Sequence, residues 1–174
     1  MKKLYTLIIA ISSIIISIFM CMFFFKPLID AGKLIDVAFD KNLNIYNLNY
    51  ISRTGEYQII KVDENGSVKA SKKLDQPSSL VSYDKIGIDN SGNIIIKMTE
   101  KSEEIDNGSR SIKNEKILLY DADIEFSKEL ISVDFSSRGS LPKEAFIFNY
   151  QIVGNKVSVF CRDGNNYEIL EVDT

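Results

Sequence analysis

Past residue 34 the apolar positions come in short bursts, alternating or continuous, each broken by Gly, Asn, Asp or Ser. "VAFDKNLNIYNL" (37–48) and "IGIDNSGNIIIK" (86–97) both read as strand, turn, strand, and they superimpose at a constant offset of 49. Val37 then falls on Ile86, Phe39 on Ile88, Asp40 on Asp89, Asn44 on Asn93 and Ile45 on Ile94. Alternation of this kind marks a half-buried strand. Asp-Asn-Ser-Gly-Asn is turn chemistry, because Gly and Asn accept positive φ and Asp bonds the turn backbone.

A second element recurs. "QIIKVDENG" (58–66), "KILLYDAD" (116–123) and "EILEVDT" (168–174) share a strand that closes on an aspartate: Asp63, Asp121 and Asp173. Asp40 precedes Asp63 by 23 residues and Asp89 precedes Asp121 by 32. The nine extra residues match the polar stretch "KSEEIDNGSRSIKN" (101–114), expected as an exposed loop between two strands. A fourth strand follows in the first two copies, at 67–74 and 127–135. In the third copy "YQIVGNKVSVF" (150–160) replaces the first hairpin. Setting Gly154 on Gly92 puts Gln151 at the aspartate position.

The spacing predicts three units, at about 34–76, 80–136 and 145–174, with the third lacking its last strand. Strand 167–173 should pair with 156–162 through a turn at Asp163-Gly164-Asn165-Asn166, with Val157, Val159 and Cys161 opposite Tyr167, Ile169 and Leu170. "LPKEAFIF" (141–148) is the one candidate for a helical turn beyond the amino terminus.

Four antiparallel strands repeating at roughly 40–60 residues is the pattern of a propeller blade. The residues at 35–68, at 85–97 and at 115–123 resemble NHL-type and related β-propeller repeats, which place a hydrophobic–x–hydrophobic–Asp strand before a Gly-Asn turn. The resemblance implies an all-β, incomplete propeller of about two and a half blades, with loops at one end as a binding face. An open β-sandwich or barrel is the alternative. An incomplete stack leaves a strand edge and a face uncovered, so association with a protein partner or further blades is expected.

The amino terminus changes the setting. Leu4 to Phe25 contains 22 residues without a charge, Gly or Pro. At about 1.5 Å per residue a helix of that length reaches roughly 33 Å, enough to cross a hydrocarbon core of about 30 Å. The run ends in Met22-Phe23-Phe24-Phe25, not in the small residues of a cleavage site. Residues 1–26 therefore read as an uncleaved signal anchor spanning the membrane at 4–25. Residues 27–33 form a short linker and 34–174 the remaining domain. Lys2 and Lys3 favour a cytoplasmic amino terminus, with residues 27–174 extracytoplasmic.

Charge and composition narrow the chemistry. Residues 36–174 hold 17 of the 21 Lys and Arg and 23 of the 24 Asp and Glu, a balance of −6, which disfavours nucleic acid. The chain has no His, so no Ser-His-Asp or Cys-His arrangement and no His metal ligand. Cys21 lies in the span and Cys161 stands alone, without a disulfide framework; Cys161 reads as a small buried hydrophobe. "DENGS" (63–67), "DNSGN" (89–93) and "DGNN" (163–166) read as turns, since none fits the calcium loop with its closing Glu. The same holds for "NGS" at 65–67 and 107–109, which also fits a glycosylation acceptor.

Glu100, Glu103, Glu104 and Asp106 read as a solvated loop with Lys101 and Arg110. The aromatics Tyr46, Tyr50, Tyr57, Tyr120, Phe146, Phe148, Tyr150 and Phe160 read as packing between strands. No catalytic, cofactor-binding or metal residue is assigned. The expectation is a non-catalytic, membrane-anchored, extracytoplasmic binding or scaffolding module whose ligand the sequence does not name. The alternative is the front of a larger membrane sensor or enzyme whose activity lies beyond residue 174.

Overall fold

The computed structural model describes residues 32–106, 109–134, 146–163 and 166–174. Contacts divide the chain into Met1–Lys33 and Leu34–Thr174, and the second unit is described here. The expected span at 4–25 and residues 141–145 of the candidate helical turn lie outside the described residues. Among the described residues no helix is long and apolar enough to cross a membrane.

Among the described residues eleven strands form three antiparallel sheets. The first holds β1 (Lys33–Phe39), β2 (Ile45–Ile51), β3 (Glu56–Val62) and β4 (Val68–Lys73) in that order. The second holds β5 (Val81–Ile88), β6 (Ile94–Asp106), β7 (Ser109–Tyr120) and β8 (Phe126–Asp134). The third holds β9 (Phe146–Val153), β10 (Lys156–Asp163) and β11 (Asn166–Asp173). The three sheets occupy the three units that the spacing predicts, in the expected four, four and three strands.

The repeat is visible atom by atom in the turns. Asp40 takes the N–H groups of Asn42 and Asn44 on one carboxylate oxygen, at 2.8 and 3.0 Å, and the Asn44 amide on the other at 2.8 Å. Asp89 does the same with Ser91 and Asn93, at 2.8, 2.8 and 2.9 Å. Asp63 holds Asn65 and Ser67, and Asp121 holds Asp123 and Glu125, in the same two-N–H grip. In all four turns the fourth residue adopts positive φ: Leu43 at 62°, Gly66 at 80°, Gly92 at 89° and Ile124 at 68°. The offset of 49 is thus a conserved turn geometry, kept even where Leu43 replaces Gly.

A side chain in that region costs about 1–2 kcal/mol. Leu43 is 64% exposed and gains little burial in return, so Leu43→Gly should raise stability by about 0.5–1 kcal/mol in denaturant unfolding. Ile124 is fully buried in the core, and Ile124→Gly should destabilise despite relieving the same backbone.

Two cores lie on opposite faces of the middle sheet. Ile94, Ile96, Leu118 and Tyr120 pack with Tyr46, Leu48 and Ile59 of the first sheet. Ile95, Ile117 and Leu119 pack with Ile147, Tyr150, Val157 and Val159 of the third. This is why 94–96 is a continuous Ile run: a strand buried on both faces has no polar side. The first sheet alternates more, since only one of its faces is covered.

The sheets stack in one direction. Lys41, in the β1–β2 turn, donates to the Asn90 carbonyl in the β5–β6 turn, and the Asn90 N–H donates at 3.1 Å to the Gly154 carbonyl in the β9–β10 turn. Tyr57 on β3 packs against Tyr83 on β5, and Glu115 on β7 accepts from the Ile147 N–H on β9. Tyr57 and Glu115 sit six residues before Asp63 and Asp121, so the same repeat position makes both contacts.

Three expectations are corrected. Residues 101–114 are not a loop: β6 and β7 continue through Asp106 and Ser109 as a paired ribbon, with register shifts at Glu100/Lys101 and Lys101/Ile105. Gln151 is not at the aspartate position. Val153 pairs with Lys156 where Asp89 bonds Asn93, because a tight turn through Gly154 and Asn155 replaces the five-residue turn. Finally, β10 and β11 pair as expected, closing at Asp163↔Asn166, but Val157 faces Val172, Val159 faces Leu170 and Cys161 faces Glu168. Tyr167 and Ile169 lie on the opposite, exposed side.

Candidate interaction surfaces

The stack has two unlike ends. The four aspartate turns share one end, and each aspartate holds two backbone N–H groups on one carboxylate oxygen. The calcium-like runs at 63–67 and 89–93 are therefore turns in the structure, and Asn65 of the first "NGS" lies within one. Burial pushes the Asp40 carboxyl up. The Asn44 amide, the N–H groups of Asn44 and Asn42 and the Tyr46 hydroxyl outweigh it, so Asp40 titrates below its ordinary 3.8. Folding thus favours the charged form. Its contribution is complete above that ordinary value and fades as pH falls through the lower, folded one. Asp40→Ala should cost about 1–2 kcal/mol at neutral pH, from two orphaned N–H groups. Its deficit against the parent chain should shrink in acid, which urea unfolding at stepped pH would read.

The other end is irregular. There the β2–β3 turn is short, at 52–55, while the ribbon of β6 and β7 runs past both its neighbours. Pairing with β5 stops at Glu100 and pairing with β8 at Asn114, and the Lys101 N–H still donates to the Leu80 carbonyl at 3.0 Å, so beyond Lys101 the two strands run on past the ladders of their neighbours. Lys101, Glu103, Ser111 and Lys113 are exposed on it, and Lys113 is bonded back to Glu100 at 2.9 Å. Beside the β2–β3 turn, Thr54, Glu56 and Lys73, with Leu74, Asp75, Gln76, Ser78 and Ser79, line a shallow cleft of about 470 Å³. Glu56 and Lys73 form an ion pair at 2.7 Å at its wall.

A buried polar group lies between the second and third sheets, at positions the sequence analysis did not single out. Glu115 is 1% exposed. One of its carboxylate oxygens meets the Lys97 ammonium at 2.9 Å and the other accepts from the Ile147 N–H. Lys97 is also 3.7 Å from Asp84, which takes the Thr99 hydroxyl at 2.8 Å. Charge in phase with buried neighbours is the signal: Lys97 follows Ile95 by two, and Glu115 precedes Ile117 by two. Every acceptor here is used by the protein itself, so the group joins sheets. It offers no open coordination site.

The aromatics pack between strands as expected. Tyr50 and Tyr57 centroids are 4.9 Å apart, Tyr57 and Tyr83 5.2 Å, and Tyr120 and Phe126 5.6 Å. The Tyr150 hydroxyl donates to the Ile95 carbonyl at 3.1 Å, and burial holds its pKa well above the usual phenol. Burial likewise pushes Tyr120 up to about 12. Cys161 is half-buried against the second core. The side chains of Phe146 and Phe148 lie outside the described residues.

The outer faces of the stack complete the inventory. On the first sheet Val37 and Phe39 are exposed and Ile45, Ile60 and Val62 half-buried. On the third, Tyr167 and Ile169 are exposed, with Arg162 over the Tyr167 ring. No protein-family model matches the chain, and no curated protein matches it.

Proposed function

We propose that this chain is a membrane-anchored, extracytoplasmic module of propeller-like blades that binds or scaffolds and does not catalyse. The observation that carries the reading is the stack of like-oriented, like-turned four-stranded sheets behind a 22-residue segment without charge. Blades of this kind hold their loops at one end, and here that end carries the protruding 101–114 ribbon and the cleft at 54–79. The ribbon projects past the ladders of both neighbouring strands, which makes it the favoured contact for a ligand.

Topology is tested at Ser67, exposed in the β3–β4 turn. With Cys161 replaced by Ser, Ser67→Cys should react with a membrane-impermeant thiol reagent on intact cells. Reaction only after lysis would overturn the external location. Contact by the ribbon is tested by joining Glu100 to Lys113 through a two-residue turn: the fold should persist, because few other contacts are lost, while any captured partner should be released. A collapse of the fold would mean that the ribbon is structural.

A further inference from the structure

We infer that the two outer faces of the stack are the two halves of one interface, and that a second copy of this chain closes on the first, head to tail, to make a six-sheet ring. The inference rests on the propeller-like stack alone and does not depend on where in the cell the chain resides.

The chain uses one sheet-to-sheet interface twice. Each sheet offers a leading face to the sheet before it and a trailing face to the sheet after it. The leading face of the second sheet is built from Ile86, Ile94, Leu118 and Tyr120, and all four are buried under the first sheet. Their counterparts on the third sheet, by strand pairing, are Tyr150, Val157, Leu170 and Val172, packed against the second. On the first sheet the same positions are Val37, Ile45, Ile60 and Val62; Val37 is exposed, the other three are half-buried, and among the described residues no further sheet lies over them. The trailing face tells the same story in reverse. Ile59 and Ile117 are repeat equivalents, four residues before Asp63 and Asp121, and both are fully buried. Ile169 stands four residues before Asp173 and is 59% exposed.

An apolar residue kept at a position whose two equivalents are sealed, yet left open in its own sheet, calls for the same kind of cover. The chain owns that cover at its other end. The contact between sheets one and two sets Tyr57 on Tyr83, and that between sheets two and three sets Glu115 on Ile147. The next step of the same operation sets Tyr167 of one copy on Leu34 of the other. Both are exposed large side chains in the single chain, at 73% and 55%.

A head-to-tail interface either closes or runs on as a filament. Two copies supply six sheets, inside the range of roughly four to eight at which propellers close. Closure about a two-fold axis uses both outer faces of both copies and leaves none exposed. It also puts both copies' Lys33 at the same end of the ring.

The test is cross-linking of the 174-residue chain in its host, with Cys21 and Cys161 replaced by Ser. In one chain Leu34 and Tyr167 lie on opposite faces of the stack. A chain carrying Leu34→Cys and Tyr167→Cys, treated with a short bifunctional thiol reagent, should give a covalent dimer on a denaturing gel and no ladder. Neither single variant should cross-link alone, and a mixture of the two should. Adding Phe39→Glu and Ile169→Glu should abolish the dimer while the far-ultraviolet β signal is kept. A chain that stays monomeric would overturn the inference. So would a ladder of higher species, which means an open filament, or a dimer from either single variant, which means like faces meet.

Discussion

Glu115→Ala should unfold this protein more readily than any surface substitution, by about 3–5 kcal/mol, because it strands a buried Lys97 and leaves the Ile147 N–H unpaired. Native domains hold only about 5–15 kcal/mol in total, so the thermal midpoint should fall by roughly 10–20 °C. Lys97 keeps a second carboxylate within reach, Asp84 at 3.7 Å, which sets the cost nearer the lower figure. Glu115→Gln retains an acceptor for the Ile147 N–H and should cost less, about 1–2 kcal/mol. Adding Lys97→Met to Glu115→Gln should recover part of that loss, since no charge is then left buried. The measurement is calorimetric or circular-dichroism melting of the three variants beside the parent. A Glu115→Ala midpoint within a degree or two of the parent would show that water reaches the pair and that it adds little to the hold between sheets two and three.

That ion pair also marks where the sequence stopped being legible. Strand positions, the three-unit division and the four turns could be read because they are local: each depends on a few residues whose turn chemistry and alternation stand in one stretch. Which face of a strand looks at which neighbouring sheet is not local. Lys97 and Glu115 are 18 apart in sequence, and only the register of β6 on β7, with Lys97 opposite Ile117 and Thr99 opposite Glu115, brings them together. The same limit explains the error at Gln151. Gly92 and Gly154 both hold positive φ, but one closes a five-residue turn and the other a tight hairpin. Matching glycines therefore slipped the third unit against the other two. At 101–114 the polar composition hid a paired ribbon, because cross-strand hydrogen bonds are indifferent to whether the side chains above them are charged. The pairing of 156–162 with 167–173 was legible, again because a single turn decides it.

Ile59, Ile117 and Ile169 offer the sharpest reading of the repeat, since they are one position in three settings. Ile59→Ala and Ile117→Ala each empty a site that is 0% exposed, and each should cost about 2–5 kcal/mol at any protein concentration. Ile169→Ala removes the same three carbons from a residue 59% exposed, and in the single chain it should change stability by no more than about 0.5 kcal/mol. The difference comes from cover alone, because the strand, the flanking aspartate and the side chain are alike. Head-to-tail pairing adds a second dependence: binding that favours the folded state stabilises it by mass action, so the parent chain should grow more stable with concentration. Ile169→Ala should then lose ground against the parent at high concentration and match it at low. Urea unfolding followed by the far-ultraviolet β signal, at concentrations a hundredfold apart, separates the two effects. An Ile169→Ala cost equal to that of Ile117→Ala at low concentration would mean that the third sheet's outer face is already covered within the chain, and the equivalence of the three positions would fail.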